Sequence, residues 1–443
     1  MALSIQVLLS WVILGTLSSA IPVKTLQQLI TEADHLANAL ELPLPPSLDA
    51  WYRAPDNVNW QNTDPGQVLK IRQAPRLNTT VGNALRAYQI LYRSTDSQYN
   101  ATWDVTTLFI PLWQSRCSAN TPALCAHALL SYQIPYDTCN VDASPSFGLH
   151  AGEPYGEISD ALSLGWFVSV PDYEGPLASY AAGVQSGHAT LDGIRAVLQV
   201  AGLFGLRMDN TKVALWGYSG GALASEWAAE LSVQYAPKLK IAGIALGGLT
   251  PNVTRVTEYI NGQQCAGLIP AALLGISTQH PAANEWILSR LKPANAAAFL
   301  SVKSLTASQS IELFKYQNIF EYFVGGYADL HVPVMESMYD VDGYMGYHGV
   351  PRMPVFVYKA VHDQLSDVQD TDDLVSRFCD VGANILYHRN LAGGHNQELV
   401  NGRQRAFAWL SSVLDGSYDQ VYWALGCTVV NVTYNLAPNL PWD

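Results

Sequence analysis

Three observations predict an α/β fold: a mostly parallel central sheet flanked by helices, with a mainly helical cap inserted between late strands. Short apolar, β-rich runs alternate with helix-like stretches along most of the 443-residue chain, the rhythm of a parallel sheet with helices on both faces. About a hundred residues, 250–352, break that rhythm with a mostly helical texture. A glycine-flanked serine, Gly217-Tyr218-Ser219-Gly220-Gly221, stands between an apolar run and a helix-like stretch.

Taken in order, residues 1–20 are apolar apart from Ser, Thr and Gln and end in Leu17-Ser18-Ser19-Ala20, small at −3 and −1. That pattern reads as a secretory signal cleaved near Ala20. A membrane anchor is the rival, but the apolar run is short and broken by Ser10 and Gly15, and no later segment is long and apolar enough to span a bilayer. Residues 21–84 read as an N-terminal helix, with apolar positions at helical spacing over 25–42 until Pro43 to Pro46 stop it. An extended segment wrapped on the surface follows, rich in Pro, Asn, Asp and Trp.

Residues 85–249 form the first part of the sheet. Strands are expected at 87–92, 107–112, 126–134, 166–170, 213–216 and 240–246, with helices near 191–206 and 222–233. Residues 250–352 are the insertion. Between two sheet strands it is most simply a cap over the edge where α/β sheets place their ligands. Residues 353–443 complete the core with strands at 355–358 and 385–388 and a C-terminal tail.

Composition narrows the function. With 49% hydrophobic and only 14% charged residues, the chain can bury a large core and is neither disordered nor fibrous. A formal charge of −13 with no basic block argues against a nucleic-acid partner. Acidity otherwise means solubility. Asn78, Asn100, Asn252 and Asn431 each begin an N-x-Ser/Thr acceptor, consistent with a secreted glycoprotein. The six cysteines, Cys117, Cys125, Cys139, Cys265, Cys379 and Cys427, suit an oxidising compartment and lack the C-x-x-C spacing of zinc or thioredoxin-type sites. Six cysteines allow 15 full pairings. Cys379 with Cys427 is the one we single out, a bond that would tie the tail to the last helical layer.

G-x-S-x-G between strand and helix is a nucleophile elbow: the turn is so tight that small residues, here Gly217 and Gly221, must flank a serine whose hydroxyl is held out at the sheet edge. A merely structural Gly-rich turn is the bland alternative. A serine hydroxyl needs a base to take its proton and a carboxylate to orient that base, in the chain order Ser, acid, His. Among the histidines after Ser219, His280, His331 and His348 fall inside the cap and His388 within a strand pattern. His395, in Gly393-Gly394-His395-Asn396, lies just after the last expected strand and before a helix. It is the expected base, while His362 sits where the acid belongs. Asp363 follows the penultimate strand as the expected acid. Asp367, Asp370, Asp372 and Asp373 compete but suit the first turn of the next helix, where carboxylates offset the helix dipole. Of the two oxyanion donors such chemistry needs, one is the Gly220 N–H. The other belongs in the loop Pro135-Tyr136-Asp137-Thr138, which is equally readable as a plain turn.

These residues, together with Pro65-Gly66-Gln67-Val68-Leu69-Lys70-Ile71-Arg72, Val170-Pro171-Asp172-Tyr173-Glu174-Gly175-Pro176, Leu191-Asp192-Gly193-Ile194-Arg195-Ala196, Tyr347-His348-Gly349-Val350-Pro351 and Tyr358-Lys359-Ala360-Val361-His362-Asp363, resemble the fungal secretory lipase family of the lipase A type, over roughly residues 42–426. The resemblance implies an α/β-hydrolase core with a helical cap, and hydrolysis of carboxylic esters including triacylglycerols. It carries Ser219, Asp363 and His395 over as triad, and Asp137 with Gly220 as oxyanion residues. No metal or organic cofactor is implied. The partners expected are an acylglycerol or other ester and a lipid–water interface, met by a monomer. The apolar run 268–276 and the Tyr-rich run 339–347 suggest an acyl tunnel or lipid-facing surface within the cap, or else only the cap's own core. A carboxylesterase or acyltransferase of the same fold without interfacial preference is the nearest alternative; beyond it, a serine peptidase of that fold and a catalytically dead binding protein are the rivals. The peptidase usually needs a further large domain, and the binding protein typically lacks a triad residue.

Overall fold

The computed structural model describes residues 43–437, apart from 57–58, 75, 117–125, 153–154 and 423–424. The expected signal (1–20), the 25–42 helix, Cys117 and Cys125 lie outside the described residues. Ten strands form one sheet in the order β1-β2-β3-β5-β4-β6-β7-β8-β9-β10. They are β1 (Val68–Gln73), β2 (Ala84–Thr95), β3 (Ala101–Pro111), β4 (Ala128–Gln133), β5 (Phe167–Pro171), β6 (Lys212–Tyr218), β7 (Ile241–Gly247), β8 (Val355–Ala360), β9 (Ile385–Asn390) and β10 (Cys427–Val432). From β5 to β10 every pairing is parallel, while β1, β2 and β3 join antiparallel at one side.

Strands β4, β5 and β8 are buried along their whole length, which is why they read as continuous apolar runs rather than alternating ones. Helices of eight or more residues among the described ones are α1 (Gly156–Ser163), α2 (Gly183–Val200), α3 (Gly220–Ser232), α4 (Val253–Ile260), α5 (Leu268–Ile276), α6 (Pro281–Arg290), α7 (Pro293–Ser301), α8 (Ala307–Phe314), α9 (Pro333–Asp342), α10 (Val368–Asp380) and α11 (His395–Asp415). One face of the sheet packs on α2, α3 and α10 through side chains such as Ile194, Trp227 and Phe378. The other packs on α1 and α11 through Ile158, Trp409 and Leu410. Helices α4 to α9 all fall between β7 and β8.

Two strands correct the sequence reading. Residues 68–73, expected as part of an extended wrapping segment, form β1 and pair with β2. A register shift between Val68 and Lys70 leaves burial on Val68 and Ile71, three apart, so the period of two that betrays a strand is absent. In the tail, β10 extends the sheet beside β9; its β-branched Thr428, Val429, Val430 and Val432 were its signal, although the strand is mostly exposed. Its first residue, Cys427, is bonded to Cys379 in α10 with Cα atoms 5.8 Å apart. This bond therefore fastens an edge strand to the last helical layer. Asn100 and Asn431 are exposed, whereas Asn78 and Asn252 are half-buried. The Asn252 side chain also caps α4 by accepting from the Arg255 N–H at 3.0 Å.

Candidate active site

The serine is aimed by the turn that ends β6. Ser219 has φ 53° and ψ −122°, a left-handed conformation that a non-glycine residue holds only where the surroundings enforce it. Those surroundings are backbone. A Cβ on Gly217 would fall 2.0 Å from the Gly221 carbonyl oxygen, and one on Gly221 would fall 1.9 Å from that of Gln133 on β4. The glycines flanking Ser219 are therefore required by the close approach of β6, α3 and β4. The Ser219 N–H donates to the Gly247 carbonyl at the end of β7, 2.9 Å away, which anchors the elbow to the next strand.

Three elements converge on that hydroxyl. His395, the first residue of α11, brings Nε2 to 2.9 Å from Ser219 Oγ and Nδ1 to 2.6 Å from Asp363 Oδ2. The histidine main chain is held at both ends. Its N–H donates to Gln364 Oε1 at 2.9 Å, and its carbonyl accepts from the Tyr218 hydroxyl. Asp363, in the loop after β8, receives the Leu365 and Ser366 N–H groups on Oδ1 at 2.8 and 2.9 Å. All three side chains are almost wholly buried, with exposures of 6% for Ser219, 4% for His395 and 2% for Asp363.

Burial alone would raise the Asp363 carboxyl, but the charges of His395 and Lys359, the His395 hydrogen bond and the Ser366 N–H outweigh it and hold the group below the usual carboxylate range. Lys359, at the end of β8, was not among the sequence candidates. It is 0% exposed, and its Nζ lies 3.0 Å from Asp363 Oδ2 and 2.7 Å from the Leu249 carbonyl. A lysine inside a strand pattern that is otherwise apolar was its signal, because a charge is buried there only with a partner. Gln364 left no such signal.

The competing acids have other work. Asp367 caps α10 by accepting from the Gln369 N–H, Asp370 pairs with Arg255 of α4, and Asp372 pairs with Arg389. Of the histidines set aside, His280 pairs with Asp342, His331 with Glu336, and His388 on β9 accepts through Nδ1 from the Arg405 guanidinium on α11.

Asp137 reaches the same place from the loop after β4, with φ 46°. A Cβ on Gly220 would meet Asp137 Oδ1 at 1.9 Å, so the two proposed oxyanion residues are in direct contact. Burial pushes the Asp137 carboxyl up to about 6, against the lowering effect of the His395 charge.

Other buried carboxyls behave alike. Burial raises Asp172 to about 7 despite hydrogen bonds from Ser146, and Asp192 to about 6 despite Arg195. Between about pH 4 and pH 7 the folded chain keeps protons on these groups that the unfolded chain has released, so their contribution to stability falls as pH rises through that window. Burial lowers His150, His188 and His388 to about 4, which opposes this trend, but the Asp104, Glu174 and Glu226 carboxyls, raised well above the usual range by burial, add to it, so Tm should be lower at pH 8 than at pH 5. Differential scanning calorimetry checks this, and an equal or higher Tm at pH 8 contradicts it.

The apolar and Tyr-rich runs of the insertion separate. Leu268, Ile269 and Ala272 of α5 line a cavity beside Ser219, together with Val253 and Val256 of α4. Tyr339 is buried in α9, while Tyr344 and Tyr347 line a different pocket, where Tyr347 stacks under Arg377. The 339–347 run therefore does not share the serine's cavity. Among the described residues no cluster of three or more His, Cys, Asp or Glu side chains could hold a metal ion, and no helix is long and apolar enough to cross a membrane.

Residues 150–420 match the family model described as secretory lipase. The chain is 43% identical over 412 residues to a trichothecene C-3 esterase of Fusarium sporotrichioides, covering 89% of each chain. It is 35% identical over 426 residues to a lipase A of Arthroderma benhamiae, covering 91% of this chain and 85% of the relative. Among solved structures, Candida antarctica lipase A superposes with a TM-score of 0.78 at 26% identity, covering 89% of this chain and 91% of that one.

Proposed function

The chain belongs to the secretory lipase family and is an ester hydrolase with the α/β-hydrolase fold, and from that premise we propose that it works through a covalent acyl-enzyme on Ser219. The observation that carries this reading is the unbroken hydrogen-bond chain from Ser219 Oγ through His395 to Asp363. Ser219 Oγ attacks the ester carbonyl carbon as His395 Nε2 takes its proton, and Asp363 stabilises the imidazolium and fixes its orientation. The N–H groups of Gly220 and Asp137 receive the oxyanion. As the tetrahedral intermediate collapses, His395 returns the proton to the leaving alcohol. A water then repeats the sequence against the acyl-enzyme and releases the acid.

The remaining sequence expectations are part of the same proposal. Residues 85–249 and 353–443 act as the core, and 250–352 as a cap whose α4 and α5 wall the cavity at Ser219. The protein acts outside the cell as a monomer, after loss of residues 1–20, with Asn100 and Asn431 as its exposed glycan acceptors. The family's description as secretory supports this location.

Two ester classes are supported by different observations. Acylglycerols are favoured by the lipase relatives. A dissolved ester of a non-lipid alcohol is favoured by the relative named a trichothecene C-3 esterase. A fluorophosphonate probe followed by peptide mapping tests the mechanism: the label is expected on Ser219, and active protein that stays unlabelled there would sink the acyl-enzyme.

A further inference from the structure

We propose that this site selects compact acyl groups, of about two to four carbons, esterified to a bulky alcohol. The inference rests on the acyl-enzyme reading above, because that mechanism dictates which side of Ser219 holds each half of the ester. His395 must hand its proton to the leaving oxygen, so the alcohol lies on the histidine's side. The acyl group stays on Oγ with its carbonyl oxygen toward Gly220 and Asp137, and its tail points the other way.

Two cavities meet at Ser219, and they are unequal. One includes His395, Asp137, Gln364 and Asn396 in its lining and measures about 200 Å³. Through Pro135, Ala307 and Ser308 it continues into a groove of about 560 Å³ along Ala143, Pro145, Leu149, Gly152 and Tyr155. That size lies within the range of sites for drug-sized molecules, roughly 300–1,000 Å³. The second cavity includes Ser219 and Gly220 but, among the described residues, not His395. Leu223, Val256, Leu268, Ile269 and Leu365 help wall it, and it measures about 30 Å³. That is room for two or three water-sized groups, each taking about 10–15 Å³ on the same measure. The acetyl methyl and one or two further carbons fit, whereas a sixteen-carbon tail exceeds the space several-fold.

The walls resist expansion. Every residue of α5 from Leu268 to Ile276 is buried, and Gly275 abuts the Tyr180 backbone so closely that a Cβ there would lie 2.6 Å from its nitrogen. Close-packed interiors yield little to added methylenes, and a single methylene in an apolar pocket discriminates by about 10- to 200-fold. On the alcohol side the lining mixes apolar groups with Asp137, Gln364 and Asn396, which suits an alcohol carrying polar groups better than a hydrocarbon.

The test is a chain-length series of p-nitrophenyl esters, each kept below its micellar concentration, with the full-length enzyme. Acetate or butyrate should exceed octanoate in kcat/KM by about a hundredfold or more. In Ile269→Ala, or in Val256→Ala should the first fail to fold, the octanoate-to-acetate ratio should rise at least about tenfold. A matched pair of acetates, one of ethanol and one of a bulky alcohol bearing further hydroxyl groups, should favour the bulky alcohol. Octanoate or palmitate equalling acetate in the native enzyme, an unchanged ratio in the wall variant, or a preference for ethyl acetate would overturn the inference. Labelling separates the two levels of failure. Fluorophosphonate on Ser219 combined with long-chain preference refutes only the size selection, while ester cleavage without label refutes the mechanism beneath it.

Discussion

Replacing Ser219 with Ala should lower kcat/KM on any ester the native enzyme cleaves by at least about 10⁴-fold, with Tm within about 2 °C of the parent. The size of the loss follows from what the hydroxyl does. It is the atom that becomes covalently bonded, so neither His395 nor the oxyanion donors can substitute for it. Water activated by the remaining groups sets the residual rate. The small change in stability follows from the elbow. Its geometry is enforced by Gly217, Gly221 and the Ser219 N–H bond to Gly247, all of which an alanine preserves, and the substitution removes one oxygen without adding volume. Kinetics on a dissolved ester and calorimetry check both halves. A variant within about tenfold of native activity would remove Ser219 from the mechanism, and a variant that unfolds would make the loss uninformative without the fluorophosphonate labelling of the native chain.

The elements that were legible in the sequence are those whose physics is local. Strands such as β6 and β8, buried on both faces, declare themselves as apolar runs, and the Gly-Tyr-Ser-Gly-Gly pentapeptide declares a turn whose steric demand lies within the pentapeptide and one neighbouring strand. His395 and Asp363 could be chosen because each follows a strand on the same sheet edge, and a parallel sheet places such loops together. What was hidden depends on partners distant in the chain. The β1 register shift cancels the alternation that marks a strand, and the β-branched run of β10 does not reveal its parallel partner, β9. Contact between Asp137 and Gly220 joins residues from different loops, so the plain-turn reading of Pro135 to Thr138 could not be set aside from residue types alone. The Tyr-rich run 339–347 left two readings open because aromatic density signals burial or stacking equally well, and here Tyr339 is buried while Tyr347 stacks with Arg377.

Lys359→Met should cost about a hundredfold in kcat/KM and about 3–5 kcal/mol of stability, and it should move the midpoint of acid unfolding, followed by circular dichroism, to higher pH. The methionine keeps most of the length and packing of the lysine but removes a charge that is 0% exposed. Asp363 would then retain His395, Leu365 and Ser366 as partners while losing the cation 3.0 Å from Oδ2, and the Leu249 carbonyl would lose its 2.7 Å donor. A carboxylate left with fewer partners in a dry interior pays its desolvation unshared, which is the source of the stability loss. Activity falls because Oδ2 is the atom that orients the imidazole, and a shift of even about 1 Å at the base is worth about a hundredfold. The acid response separates electrostatics from mere packing. In the native chain the Lys359 charge helps hold the Asp363 carboxyl below the usual carboxylate range. Without it the carboxyl takes up its proton at higher pH, so the stability it contributes is lost sooner as pH falls. A loss of activity with the acid-unfolding midpoint unmoved would assign Lys359 a packing role alone, and native activity in the variant would show that Asp363 is held without it.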